Sequence, residues 1–184
     1  MAATIRPDDF DPDRYRGLSE IFEFINGDGR FSKFNCGQAA ACTFLTHYRK
    51  LTPAAETMAE IERAHPPDNL GGWLGTSRRQ VESICRNHEL PTETIEGEGE
   101  LRISLTSLRP VIVMLAVPGP KILSVRMPMG HWMVAYGFDS EYVYLSNYGR
   151  MTWDDFRARW HGFVPRLIRM QNCGLVAAGA ITET

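Results

Sequence analysis

The chain lacks the features that would commit it to several common classes. Its four cysteines, Cys36, Cys42, Cys85 and Cys173, form no Cys-x-x-Cys pair, so a zinc site of the usual kinds is not expected. No apolar run approaches the ~20 residues of a membrane span, and stretches such as Val111 to Val117 fall far short. Met1 to Phe10 has no apolar core of a secretory signal, which points to a cytoplasmic location where disulfides do not persist. A net charge of −2 supplies no basic excess for nucleic acid. Repeats and low-complexity tracts are absent, and no metal or organic cofactor is implied.

With 43% hydrophobic and 23% charged residues, the composition is that of an ordinary globular protein. Its 184 residues suit one domain, 1–184, with 1–16 as an extended N-terminal arm. The acidic lead, Asp8, Asp9, Asp11 and Asp13, reads as a solvated part of that arm.

Asn35-Cys36-Gly37-Gln38-Ala39-Ala40-Ala41-Cys42-Thr43-Phe44-Leu45 is the most informative stretch. Asn35 suits an N-cap, and Ala40, Ala41, Phe44, Leu45 and Tyr48 recur at helical spacing, so Cys36 falls in the first turn. Free N–H groups and the positive dipole end there favour a thiolate, the nucleophilic form. The other three cysteines sit among apolar neighbours and read as small core residues.

A nucleophilic thiol needs a proton acceptor. Gly130-His131-Trp132-Met133-Val134-Ala135-Tyr136-Gly137-Phe138-Asp139 and Tyr142-Val143-Tyr144-Leu145-Ser146-Asn147 are both β-prone, with Ser140-Glu141 as the turn of a hairpin. The hairpin would bring its ends together, with Asn147 beside His131 to orient the imidazole. His47 lies eleven residues along the helix from Cys36 and cannot reach it. His65 and His161 read as surface residues, and His88 as a partner of a helix C-terminus.

These blocks, in this order, resemble papain-like cysteine peptidases, especially the bacteriocin-processing branch and its relatives. Met151 to Trp160 is similar to the short helix that follows the hairpin there. The resemblance implies a papain-like α+β fold, an N-terminal helical half and a C-terminal antiparallel sheet. It also implies a Cys36–His131–Asn147 triad acting on a peptide or protein. In that branch Asp usually fills the third position, so Asn147 looks more like the papain form. The family also places a Gln six residues before the nucleophile as an oxyanion donor, where this chain has Arg30. Gln38 lies on the wrong side of Cys36 to replace it. A guanidinium and the Cys36 amide can both donate. Other readings are a deamidase or acyltransferase with the same triad, a papain-like binding module without activity, and a structural component of a peptide-export system.

Elsewhere the pattern predicts helices over Gly17 to Asn26, from Pro53 to Ala64, and from Ser77, whose hydroxyl pairs with Gln80 in a capping box. Asp68 to Gly75, with Trp73, is expected to be a loop that could line a groove. Strands are expected over Thr92 to Ile95, over Pro110 to Val117 with Ser104 to Leu108 leading into it, and over Leu175 to Ile181, with 121–129 as a connector.

Overall fold

A computed structural model describes residues 2–7, 13–25, 33–69, 75–122, 125–161 and 172–179. In chain order the elements are β1 (Ala2–Ile5), β2 (Arg16–Gly17), β3 (Ile21–Phe24), α1 (Cys36–His47), α2 (Thr57–Ala64), α3 (Arg78–Asn87) and β4 (Thr92–Glu96). There follow α4 (Gly97–Thr106), β5 (Val111–Ile122), β6 (Val125–Phe138), β7 (Tyr142–Leu145), β8 (Gly149–Thr152), α5 (Trp153–Trp160) and β9 (Cys173–Ala177). β1 and β3 form a ribbon of their own. The main sheet runs β4-β9-β5-β6-β7-β8, with β2 added to β6, and the pairings described are antiparallel.

α1 is Ala-rich and buried on every side from Cys36 to Leu45, as befits a helix enclosed by other elements. Its neighbours are Val81, Ile84 and Cys85 of α3, Ile61 of α2, and one face of the sheet. β6 alternates, sending Trp132, Val134 and Tyr136 to α1 while Met133 and Ala135 meet Leu101 and Leu105 of α4 and Phe156 and Trp160 of α5. The sheet is therefore covered on both faces, and the period of two along β6 determines which side chains reach the cysteine helix. Two polar residues inside α1 are satisfied: Gln38 donates to the His65 carbonyl at 2.7 Å and accepts from Thr76 at 2.7 Å, and the Thr43 hydroxyl accepts the Phe24 amide at 2.9 Å.

The α+β architecture stands, but several local expectations are corrected. Gly17 to Asn26, expected as a helix, contains the end of β2 and all of β3 among its described residues. The run Ile21-Phe22-Glu23-Phe24 is too short to declare a period, and its pairing with Ala2–Ile5 decides the matter. Ser104, expected to lead into a strand, instead lies in α4, where Leu101, Ser104 and Leu105 form the buried face. Glu100 accepts the Glu96 amide at 2.7 Å and closes the start of that helix, offsetting its two glycines. α2 begins at Thr57 rather than Pro53, because the Thr57 hydroxyl and the Ala54 backbone form a turn just before it. The expected connector over 121–129 is largely strand, since the β5–β6 ladder continues to Ile122 and Val125 after an irregularity between Pro118 and Lys121. β9 begins at Cys173, and residues 180–184 lie outside the described part.

β2 reaches β6 at paired glycines, Gly17 opposite Gly137. The Tyr15 ring covers Gly137 where a Cβ would sit, and its hydroxyl donates to the Leu18 carbonyl at 2.5 Å. Gly137→Ala should therefore destabilise the protein by about 1–3 kcal/mol through overpacking. Gly99→Ala, whose added Cβ meets nothing within 4 Å on α4, should be neutral or stabilising by about 0.5–1 kcal/mol. Urea unfolding midpoints of the two variants check the contrast.

Candidate active site

Cys36 is the first residue of α1 and only 5% exposed. Asn35 is the N-cap by position, but its side chain does not cap; its amide donates to Glu62 of α2 at 2.8 Å. The start of the helix is fixed instead by tight packing. A Cβ on Gly37 would stand 2.6 Å and 2.8 Å from Thr76 carbons, and the Thr76 carbonyl accepts the Trp132 indole N–H at 2.8 Å. The backbone amides of Trp132, Gly37 and Cys36 lie near the Cys36 sulfur and favour its thiolate. β6 thus meets the cysteine one residue after His131.

The electrostatics differ from the expectation for a helix start. Burial pushes the Cys36 thiol above its ordinary value of 9.0, and this outweighs the three amides that pull it down. Desolvation also lowers His131 below 6.5. Both groups are accordingly neutral near pH 7, a thiol beside a strand carrying an unprotonated imidazole. Cys42 and Cys85 are pushed up to about 12 by burial, which fits their core role, and Cys173 is half-buried with a raised value of the same cause.

The β6–β7 hairpin forms with the expected turn. Its pairing ends where the Ser146 amide donates to the Val134 carbonyl at 2.8 Å and the Ser146 hydroxyl accepts the Val134 amide at 2.9 Å. Asn147 lies just beyond, in the turn into β8, with φ of 61°. Its side-chain amide donates to the Phe24 carbonyl at 3.1 Å, and its backbone N–H donates to the Glu23 carboxylate. No hydrogen bond among the described residues joins the His131 ring to Cys36 or to Asn147. A cavity of about 590 Å³ opens beside Asn147, walled by Thr4, Arg6, Glu23, Tyr144 and Arg150.

The remaining histidines lie away from these three residues. His47 ends α1, edge-on to Tyr48, while His88 and His161 cap α3 and α5. His65 contacts Asn87 at 3.3 Å. Arg30 and Trp73, the sequence-derived oxyanion donor and groove residue, lie outside the described residues. Among the described residues no group of three or more His, Cys, Asp or Glu could hold a metal. Thr76, Trp132 and Glu23 had no signal as site residues, because their roles depend on elements distant in sequence.

A cysteine opening a central helix, against an antiparallel sheet whose strand carries a histidine, has the fold of papain-like cysteine peptidases. No family model matches the chain, and no curated protein matches its sequence. Among solved structures, the peptidase domain of Streptococcus ComA, a bifunctional ABC transporter involved in a quorum-sensing pathway, is similar with TM-score 0.55 and 14% identity, over 84% of this chain and 97% of that one. A C39-like peptidase from Bacillus anthracis has TM-score 0.56 and 12% identity, over 79% and 89%. A double-glycine-motif protease from an AMS/PCAT transporter, in complex with the leader peptide, has TM-score 0.54 and 15% identity, over 88% and 91%. At such identities the likeness is one of fold. No helix among the described residues is long and apolar enough to cross a membrane.

Proposed function

We propose that the chain is a thiol hydrolase that cleaves a peptide or amide bond through Cys36, His131 and Asn147. The observation that carries this reading is the packing of Trp132 onto the start of α1, its indole N–H on the Thr76 carbonyl at 2.8 Å and Thr76 against Gly37, which brings the residue after His131 beside Cys36. The fold, shared with peptidase domains of which one holds a leader peptide, supports a peptide as substrate.

Starting from a neutral pair, His131 removes the thiol proton as the sulfur bonds to the substrate carbonyl carbon and the carbonyl electron pair moves to oxygen. Amides at the start of α1, with Arg30 as a further donor, would stabilise that oxyanion. The imidazolium then protonates the leaving nitrogen as the C–N bond breaks, leaving a thioester. His131 next deprotonates water, which attacks the thioester and releases the acid and the thiol. Asn147 orients the imidazole throughout. Water as acceptor gives hydrolysis or deamidation, and an amine in its place gives acyl transfer.

A second reading, a binding module without activity, is favoured by the burial of Cys36 and its raised thiol pKa. Incubation with a proteome-derived peptide library, with new termini mapped by mass spectrometry, separates the two. The wild type should produce new termini with a common sequence preference and Cys36→Ala should produce none. Termini equal in both samples, or absent from both, would remove the hydrolase. For a peptide so identified, kcat/KM should fall on the acid side only below pH 6.5. His131 is the base, and burial holds it neutral to lower pH than a free imidazole. A midpoint at or above 6.5 would contradict this assignment.

A further inference from the structure

Asn147 is held from β3 at two points. Its backbone N–H donates to the Glu23 carboxylate, and its Nδ2 donates to the Phe24 carbonyl at 3.1 Å. The Phe24 amide in turn donates to Thr43 Oγ1 at 2.9 Å, a buried bond to α1 about two turns beyond Cys36. β3 is thus fastened on one side to the helix that begins with the cysteine and on the other to the turn that carries Asn147. Only the amide nitrogen of Asn147 can donate to a carbonyl, so the Phe24 bond decides which end of the side chain is which. Oδ1 is the end left for an imidazole N–H. A non-glycine residue at φ of 61° is also an uncommon conformation that needs support from its surroundings.

We infer that Glu23 is a positioning residue of the proposed site, its carboxylate holding the Asn147 backbone in the left-handed geometry that presents Oδ1 to His131. This role rests on the hydrolase reading. The other charged and titratable groups around the cavity are already engaged or lie across it. Arg6 pairs with Glu20 at 3.1 Å, Arg150 lies 4.7 Å above the Tyr142 ring, and the Tyr144 hydroxyl donates to Asp139 at 2.8 Å, while Tyr136 and Tyr148 complete that wall. Burial raises Glu23 above 4.5, and the Asn147 amide opposes this. Protonation of Glu23 in mild acid would weaken its acceptor strength toward that amide.

The test is a double-mutant cycle on cleavage of a library-derived peptide. Glu23→Leu should lower kcat by roughly tenfold or more with KM unchanged, since small misplacement of a catalytic group is that costly. Added to Asn147→Ala it should cause almost no further loss, because Glu23 acts only by placing the Asn147 side chain, which that variant lacks. Glu23→Gln keeps an oxygen acceptor in the same place and should recover kcat to within about threefold of wild type. It also serves as the folded comparison if the leucine variant is unstable. A Glu23→Leu loss that adds in full to that of Asn147→Ala, a wild-type kcat in Glu23→Leu, or Glu23→Gln no better than Glu23→Leu would overturn the role. If the wild type cleaves and Cys36→Ala does not, such results remove Glu23 alone. If neither cleaves, the hydrolase reading falls and the role falls with it.

Discussion

Cys36→Ala is expected to abolish cleavage, with kcat falling on the order of a millionfold, as when the nucleophile of a Ser-His-Asp-type triad is removed. His131→Ala should fall by a comparable factor, and the double variant should lose little more, because the two act as one proton-transfer unit. The loss should appear in kcat while KM for the same peptide stays near its wild-type value. The other thiols offer no substitute. Cys42 and Cys85 are buried and held protonated to about 12, and Cys173 lies at the start of β9. Cys173→Ser should therefore retain wild-type kinetics. Cleavage that survives Cys36→Ala but disappears in Cys173→Ser would move the nucleophile and refute the assignment.

The largest effect on stability is expected from Trp132→Ala, at about 3–5 kcal/mol for truncating a buried tryptophan. Trp132 is 1% exposed, fills the space between β6 and α1, and sends its indole N–H to the Thr76 carbonyl at 2.8 Å. Truncation leaves that carbonyl without its donor and opens a cavity beside Gly37, where Thr76 is wedged. Trp132→Phe should cost less, about 1–3 kcal/mol, because ring volume is largely kept and chiefly the hydrogen bond is lost. Urea unfolding measures both. Trp160→Ala, a buried truncation on the opposite face of the sheet, should be similarly destabilising yet leave kcat per folded molecule intact. Trp132→Ala should lower kcat as well, because the amide that meets Cys36 belongs to the same residue. Equal kcat values for the two alanine variants would show that this packing is structural only.

Much of the framework was legible from short-range chemistry. The alanine-rich spacing after Asn35 placed Cys36 at a helix start, and β-prone runs around Ser140-Glu141 predicted the β6–β7 hairpin. Ser77 announced its helix through a hydroxyl that accepts the amide three residues on. Elsewhere local pattern misled. The glycines at the start of α4 concealed a helix, and the prolines near 118–120 suggested an end to β5 that the ladder passes. At α4 the Glu100–Glu96 bond offset the glycines, and at β5 pairing with β6 outweighed propensity.

What the sequence by itself determined was a set of chemically able residues and the elements that carry them: a cysteine heading a helix, a histidine opening a strand, and an asparagine expected at the end of the next strand, which the fold instead places in the turn after it. Tertiary structure alone decided their environment. The helix start argued for a lowered thiol pKa, yet burial desolvates Cys36 and raises it. Glu23 acquires its contact with Asn147 across more than a hundred residues of chain, because β3 pairs with β1 and packs on α1. The physical reason is one of range. Capping, alternation and turn chemistry act within a few residues and can be read along the chain. Desolvation and long-range hydrogen bonds depend on which surfaces fold together, and so appear only once packing has brought them into contact.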